Sequence, residues 1–195
     1  MPAAFVIRGQ VYRDDEGDSV EEIRDPDSGP DRADVVIRWI VARLSYRMTA
    51  IGLVLGAGAA SRFGATKQVA NFAGRPLISF PIQALRGAGL EQVLIVLGAN
   101  SEHVVPHLRG EEVVFNPEWR DGLSTSLRAG LEAAAARGAD RVVVALADQP
   151  LLSSQAVARV LEASNRGAQI ARATYFGNAG HPIALAQDTF GAAAR

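Results

Sequence analysis

From residue 51 onward the chain alternates between short unbroken apolar runs and longer stretches in which apolar residues recur every three or four positions. Residues 51–55 (IGLVL), 92–97 (QVLIVL) and 141–146 (RVVVAL) lack any polar alternation. Such runs suit strands buried on both faces of a parallel sheet. Residues 112–115 predict a further short strand, and residues 169–175 another, followed by a turn over 176–180 and a return strand over 182–185. Between them lie amphipathic segments. A helix is expected to start at Arg75-Pro76-Leu77, with Leu77, Ile78, Phe80, Ile82 and Leu85 on its apolar face. Pro81 either kinks it or moves its start later, and Gly87-Ala88-Gly89 ends it. A short helix follows Asn100 or Ser101 as N-cap, and a longer one opens at Asp121 with Leu127, Ala129, Leu131 and Ala134 toward the core. Residues 153–164 form the next, with Val157, Val160 and Leu161, and Asp188 begins a last one. Strands alternating with helices predict an α/β domain of three layers around a mostly parallel sheet, Rossmann-like in plan.

The first 47 residues carry a different pattern. They hold ten acidic and seven basic residues (net −3), against eleven and thirteen (net +2) for residues 48–195. Residues 14–18 and 25–30 are charged, turn-rich and poor in core formers, and only residues 33–44 show helical spacing. Met48 is the only methionine after Met1 and stands two residues before the first apolar run. The expectation is a poorly structured extension over 1–47, from an over-extended reading frame or a dispensable tail, and a native domain from Met48.

Net charge is −1 and the sequence pI about 6.3, so no electrostatic footprint for nucleic acid or an acidic membrane shows. Cysteine is absent, which excludes a disulfide framework, a thiol nucleophile and a Cys-ligated metal. No apolar run is long enough to span a bilayer and the N-terminus lacks a signal-peptide apolar region. Cytoplasm is the expected compartment.

The first apolar run opens into Gly56-Ala57-Gly58-Ala59-Ala60-Ser61, followed by Arg62, Gly64 and Lys67. Glycines let backbone N–H groups approach a phosphate closely, and the two cations neutralise it. Of the 20 basic residues only Lys67 is a lysine, a compact point charge suited to phosphate oxygens where a planar guanidinium would be too wide. The stretch reads as a nucleoside triphosphate site. A dinucleotide fingerprint would need glycine where Ser61 stands and an acid closing the next strand, where residues 97–100 offer none. A Walker loop needs Gly-Lys-Ser/Thr in sequence, and Gly64-Ala65-Thr66-Lys67 is in the wrong order.

Other candidates are weaker by spacing alone. Asp148 falls one residue past the 141–146 run, where ligands of open α/β sheets gather; it either holds a divalent cation or caps the following helix. Ser124 and Ser126 either face an anion or heterocycle at a helix start or serve as an ordinary N-cap. His103 and His107 stand four apart, yet no third ligand is near and Pro106 weakens their helix, so they read as partly exposed polar residues. His181 in a hairpin reads as a packing residue.

The segment Leu55-Gly56-Ala57-Gly58-x-x-Ser61-Arg62-Phe63-Gly64-x-x-Lys67 resembles the signature of the nucleotidyltransferases related to molybdenum cofactor cytidylyltransferase, L-x-A-G-x-S-x-R-M-G-x-x-K. Three further motifs follow in the family's order: Asn116-Pro117-x-Trp119-x-x-Gly122-Leu123-x-x-Ser126-Leu127, Ala147-Asp148-Gln149-Pro150 and Gly180-His181-Pro182. Phe63 replaces the usual Met and Gly56 the usual Ala. The resemblance spans residues 51–185 and implies the following assignments. Leu55, Gly56, Ala57, Gly58, Ser61, Arg62 and Lys67 bind the nucleotide, and Arg62, Lys67 and Asp148 are catalytic. Asp148 holds Mg²⁺, while Gly122, Ser124, Ser126, Gln149 and His181 face the acceptor. Family members usually continue to another strand and an acidic segment that helps hold the metal, so the nucleotidyltransferase domain over 48–195 is expected to be truncated at its C-terminus. Ala57-Gly58 is similar to the cytidylyl-transferring branch, which implies CTP and molybdopterin as substrates and transient contact with a molybdenum hydroxylase that takes the product. A sugar- or alditol-phosphate nucleotidyltransferase would share the loop and Asp148, and a non-catalytic nucleotide- or pterin-binding module is a third reading.

Overall fold

A computed structural model of the chain describes residues 5–7, 10–12, 48–59 and 66–193. The chain divides into two compact units, residues 1–47 and 48–195. In the first, β1 (Phe5–Ile7) and β2 (Gln10–Tyr12) pair antiparallel, Val6 opposite Val11. The helical spacing over 33–44 lies outside the described residues.

The second unit is built on a six-stranded sheet. Its central strand β3 (Ala50–Leu55) pairs in parallel with β6 (Val93–Leu97) on one side and β8 (Arg141–Leu146) on the other. β7 (Glu112–Phe115) extends the sheet in parallel beyond β6. On the far side β10 (Asn178–Ala186) runs antiparallel to β8 and to the edge strand β9 (Ile170–Tyr175), giving the order β7-β6-β3-β8-β10-β9. The apolar runs end up in the centre. Val93 to Leu97 are at most 4% exposed, because a strand covered on both faces has no solvent side to assign to polar residues.

Helices α1 (Ser79–Gly87) and α4 (Ser154–Asn165) pack on one face, where Ile78, Ile82 and Leu85 meet Val54, Ile95, Val143, Val157 and Val160. Helices α3 (Leu123–Ala135) and α5 (Phe190–Ala193) cover the other, where Leu131, Ala134 and Phe190 meet Ile51, Leu53, Val96 and Val144. A short α2 (Ser101–Val104) links β6 to β7. The α/β three-layer expectation with a mostly parallel sheet therefore holds.

Three local expectations change. Arg75–Pro76 is not the start of a helix but a two-residue strand, β5, paired with β4 (Asn71–Phe72). The helix begins at Ser79, which puts Pro81 in the first turn, where its missing N–H has no intrahelical partner to lose. Asn100 precedes α2 in the left-handed region and its side chain makes no cap hydrogen bond. Gly180-His181-Pro182 lies inside β10 rather than in a turn. The turn is only Phe176-Gly177, both at positive φ, as a two-residue hairpin requires.

Candidate functional site

The four parallel strands all end at one edge of the sheet, and β10, running the other way, begins there. This edge gathers the loop after β3, the residues after β8, the N-terminus of α3 and the first half of β10. After β3 the backbone leaves the sheet at Gly56, whose N–H donates to the Val96 carbonyl. A Cβ at Gly56 would stand 3.1 Å from the Cβ of Ala147, so the backbone leaving β3 passes close to that leaving β8. At Gly58 a Cβ would meet nothing within 4 Å, and its φ does not lie in the left-handed region. Neither packing nor backbone conformation within the described residues therefore asks for glycine at 58.

Lys67 opens a single 3-10 turn (Lys67–Val69), and its Nζ donates to the carboxylate of Asp148 at 2.8 Å. The two side chains are 39% and 42% exposed, so the pair is open to a ligand. Sequence reading singled out both residues, and the structure joins them across 81 positions. Ser61 and Arg62 lie outside the described residues.

Gln68 is the contribution that sequence reading missed. It is 6% exposed, and its amide nitrogen donates to the carbonyls of Gly56 at 2.6 Å and Gly58 at 2.9 Å. The available signal was its place directly after the lone lysine.

His181 is brought to the same edge by the antiparallel run of β10, and its carbonyl accepts from the Tyr175 hydroxyl at 2.8 Å. Burial holds its imidazole below the ordinary value of 6.5; the charge of Arg172 lowers it further, and that of Asp148 acts in the opposite sense. The imidazole is thus kept neutral near pH 7.

The start of α3 separates its two serines. Gly122 is the N-cap, at φ 118, and makes no side-chain cap, so neither serine is the N-cap. Ser124 is exposed, whereas Ser126 is 2% exposed and its hydroxyl accepts from the Asn116 amide at 3.0 Å. That amide also donates to Thr125 at 2.9 Å, while Asn116 Oδ1 accepts from Glu118 N–H. Asn116 thereby pins the β7 end to α3. Gln149 uses its side-chain oxygen locally, accepting from Leu146 N–H at 3.1 Å. Asp148 does not cap the following helix; Ser153 does, accepting from Ala156 N–H. His103 is exposed, with Nδ1 3.4 Å from the Thr66 hydroxyl. Among the described residues no three of His, Asp and Glu come together as a metal cluster.

A glycine loop, a lysine and a carboxylate thus stand together at the strand ends. Residues 52–195 match the MobA-like NTP transferase domain. The chain belongs to that family. It is a nucleotidyltransferase of the MobA-like type. The chain is 35% identical over 144 residues to a nicotine blue oxidoreductase of Paenarthrobacter nicotinovorans, covering 69% of each chain. It is 34% identical over 128 residues to the bifunctional protein GlmU of Agrobacterium fabrum, covering 63% of this chain and 28% of that one. Among solved structures it resembles Rv0371c of Mycobacterium tuberculosis, with TM-score 0.68, 27% identity and 76% of each chain covered. A manganese complex of Rv0371c superposes with TM-score 0.62 at 25% identity, again covering 76% of each.

In this MobA-like transferase the Asp148 carboxylate is a hard oxygen donor of the kind a divalent cation accepts. Asp148 would supply a single oxygen, and substrate phosphates and water the remainder, as Mg²⁺ accepts. No helix among the described residues is long and apolar enough to cross a membrane.

Proposed function

We propose that the chain transfers CMP from Mg-CTP to the terminal phosphate of molybdopterin, giving molybdopterin cytosine dinucleotide and pyrophosphate. The observation that carries the reading is the Lys67–Asp148 pair at the mouth of the glycine loop, a cation and an anion poised to exchange each other for a triphosphate and its metal. The base and the acceptor rest on Ala57-Gly58 within the family's loop pattern.

An oxygen of the acceptor phosphate attacks the α-phosphorus in line, the bond from that phosphorus to the β-phosphate breaks, and pyrophosphate leaves with its electron pair. This chemistry asks no side chain to act as nucleophile. The protein's part is position and charge. Loop amides from Ala57 onward and Arg62 hold the phosphates, and Lys67 turns from Asp148 to neutralise charge on them. His181, neutral and half-buried, can donate or accept a hydrogen bond at the acceptor without adding charge. Asp148 would hold the divalent cation, which neutralises the triphosphate and polarises the reacting phosphoryl group. Gly122 and Ser124 offer the acceptor the open N-terminus of α3, and Gln149 lines the same edge. Ser126, turned inward, serves the acceptor by fixing that terminus. The product would pass to a molybdenum hydroxylase.

Pyrophosphate release tests the reading, with Mg²⁺ and molybdopterin present and CTP, GTP and ATP compared. Release with CTP alone supports it. Release only with a sugar or alditol phosphate assigns a different acceptor, and binding of nucleotide or pterin without release assigns a non-catalytic module. The 35% identity to a protein named nicotine blue oxidoreductase favours a second reading, a redox reaction on that compound. Redox turnover of nicotine blue, with no pyrophosphate from any nucleotide, would favour that one.

A further inference from the structure

The loop after β3 has its carbonyls tied down in sequence. Gly56 and Gly58 carbonyls both accept from Gln68 Nε2, at 2.6 and 2.9 Å, and the Ala57 carbonyl between them accepts from Ala99 N–H at 3.1 Å. A trans peptide directs its N–H opposite to its carbonyl. The N–H groups of Ala57 and Ala59 therefore point away from Gln68, and among the described residues neither they nor the Gly58 N–H donate to any group. Two donors facing away from Gln68, beside open space at Gly58, offer an anion a binding edge.

Gln68 is suited to this by chemistry as well as position. A primary amide nitrogen carries two N–H donors, one for each carbonyl. The amide faces the loop with its nitrogen because both neighbours are acceptors, and its oxygen is left buried without a partner among the described residues. Burial of that oxygen is unfavourable. Its hydrogen-bonding capacity is directed at the loop, not at general packing.

We propose that Gln68 is a positioning residue for the triphosphate: by holding the Gly56 and Gly58 carbonyls it turns the Ala57 and Ala59 amides toward the phosphates. The proposal rests on the nucleotidyl-transfer reading. It assigns Gln68 no contact with substrate.

The test uses the full chain, with binding of CTP and of inorganic tripolyphosphate measured by calorimetry in Mg²⁺ between pH 6 and pH 8. Gln68→Met removes both donors at similar length. It should weaken CTP and tripolyphosphate by a similar factor, roughly tenfold or more, because the loss lies in the phosphate cradle. Gln68→Glu sets a carboxylate against two carbonyls and should bind more weakly still at pH 8. As the pH falls that carboxyl gains a proton, donates to one carbonyl, and affinity recovers relative to the wild-type chain at the same pH. Melting temperatures of both variants at each pH are measured alongside; affinity that moves while the melting temperature does not is a signature a purely structural residue would not give. Both variants binding tripolyphosphate as the wild type does would overturn the proposal while leaving the transferase reading intact. A fall in CTP affinity with tripolyphosphate unchanged would also overturn it, by placing the effect at the nucleoside. A wild-type chain that binds neither probe would sink both readings. If Gln68→Glu does not fold, Gln68→Met decides by the equal loss of the two probes.

Discussion

Lys67 Nζ lies 2.8 Å from the Asp148 carboxylate, joining the turn after the glycine loop to the end of β8. Each is the counter-ion of the other, and each keeps exposed capacity for a ligand, since the ammonium carries three donors and the carboxylate a second oxygen. Partly exposed pairs of this kind contribute little to stability. The pair is better understood as two binding groups held in readiness.

Removing the cation should therefore separate catalysis from folding. Lys67→Ala is expected to lower turnover by about 10²-fold or more, with little change in melting temperature, while Arg109→Ala, an exposed control, leaves turnover unchanged. In the same variant Asp148 loses its partner, and manganese binding in the absence of nucleotide should tighten. Asp148→Asn should abolish that binding as well as activity. Calorimetric metal titrations beside pyrophosphate assays check both; equal turnover loss in the Lys67 and Arg109 variants would remove Lys67 from the mechanism.

The glycines at this edge have different reasons to be there. A Cβ at Gly98 would stand 2.5 Å from Trp119 Cβ, so Gly98→Ala should destabilise the fold by roughly 1–3 kcal/mol as the indole is pushed aside. Gly58→Ala meets nothing and should leave the melting temperature unchanged, yet its methyl intrudes where the triphosphate approaches and should raise the nucleotide KM. Thermal melts and nucleotide kinetics on the two variants would exchange their signatures if the roles were reversed.

Ser124 and Ser126 should part in the same way. Ser126→Ala takes a hydrogen-bond acceptor from the buried Asn116 amide and is expected to cost about 1 kcal/mol in chemical denaturation. Ser124→Ala, at an exposed position, should leave stability alone and weaken acceptor binding. A stability loss at Ser124 with none at Ser126 would contradict the placement of both.

His181 makes a pH-dependent prediction whose sign is determined. Its folded value lies below 6.5, with burial the largest cause, so below 6.5 the unfolded chain binds the proton that the folded chain excludes. The contribution to stability is present above 6.5 and is lost as pH falls through the folded value. Melting temperatures from pH 7.5 to pH 5 should fall more for the wild type than for His181→Asn. Parallel profiles would show that the imidazole is not held neutral.

Much of the fold was legible because its causes are local. An unbroken apolar run such as 92–97 can satisfy itself only as a strand covered on both faces, and alternation with amphipathic segments then leaves few architectures. The glycine loop and the lone lysine were equally plain, since their chemistry is carried by residue type and spacing. What the sequence could not decide depends on neighbours distant along the chain. The insertion of β10 between β8 and β9 follows from a two-residue turn and a choice of sheet partner, and it is this that brings His181 to the site. The inward turn of Ser126 depends on where Asn116 stands at the end of β7. The Lys67–Asp148 contact exists because β3 and β8 are neighbours in the sheet, and Gln68 acquires its role only once the loop folds back over it. Periodicity and composition report which surfaces a segment buries; which residues then meet is decided by the sheet order that buries them together.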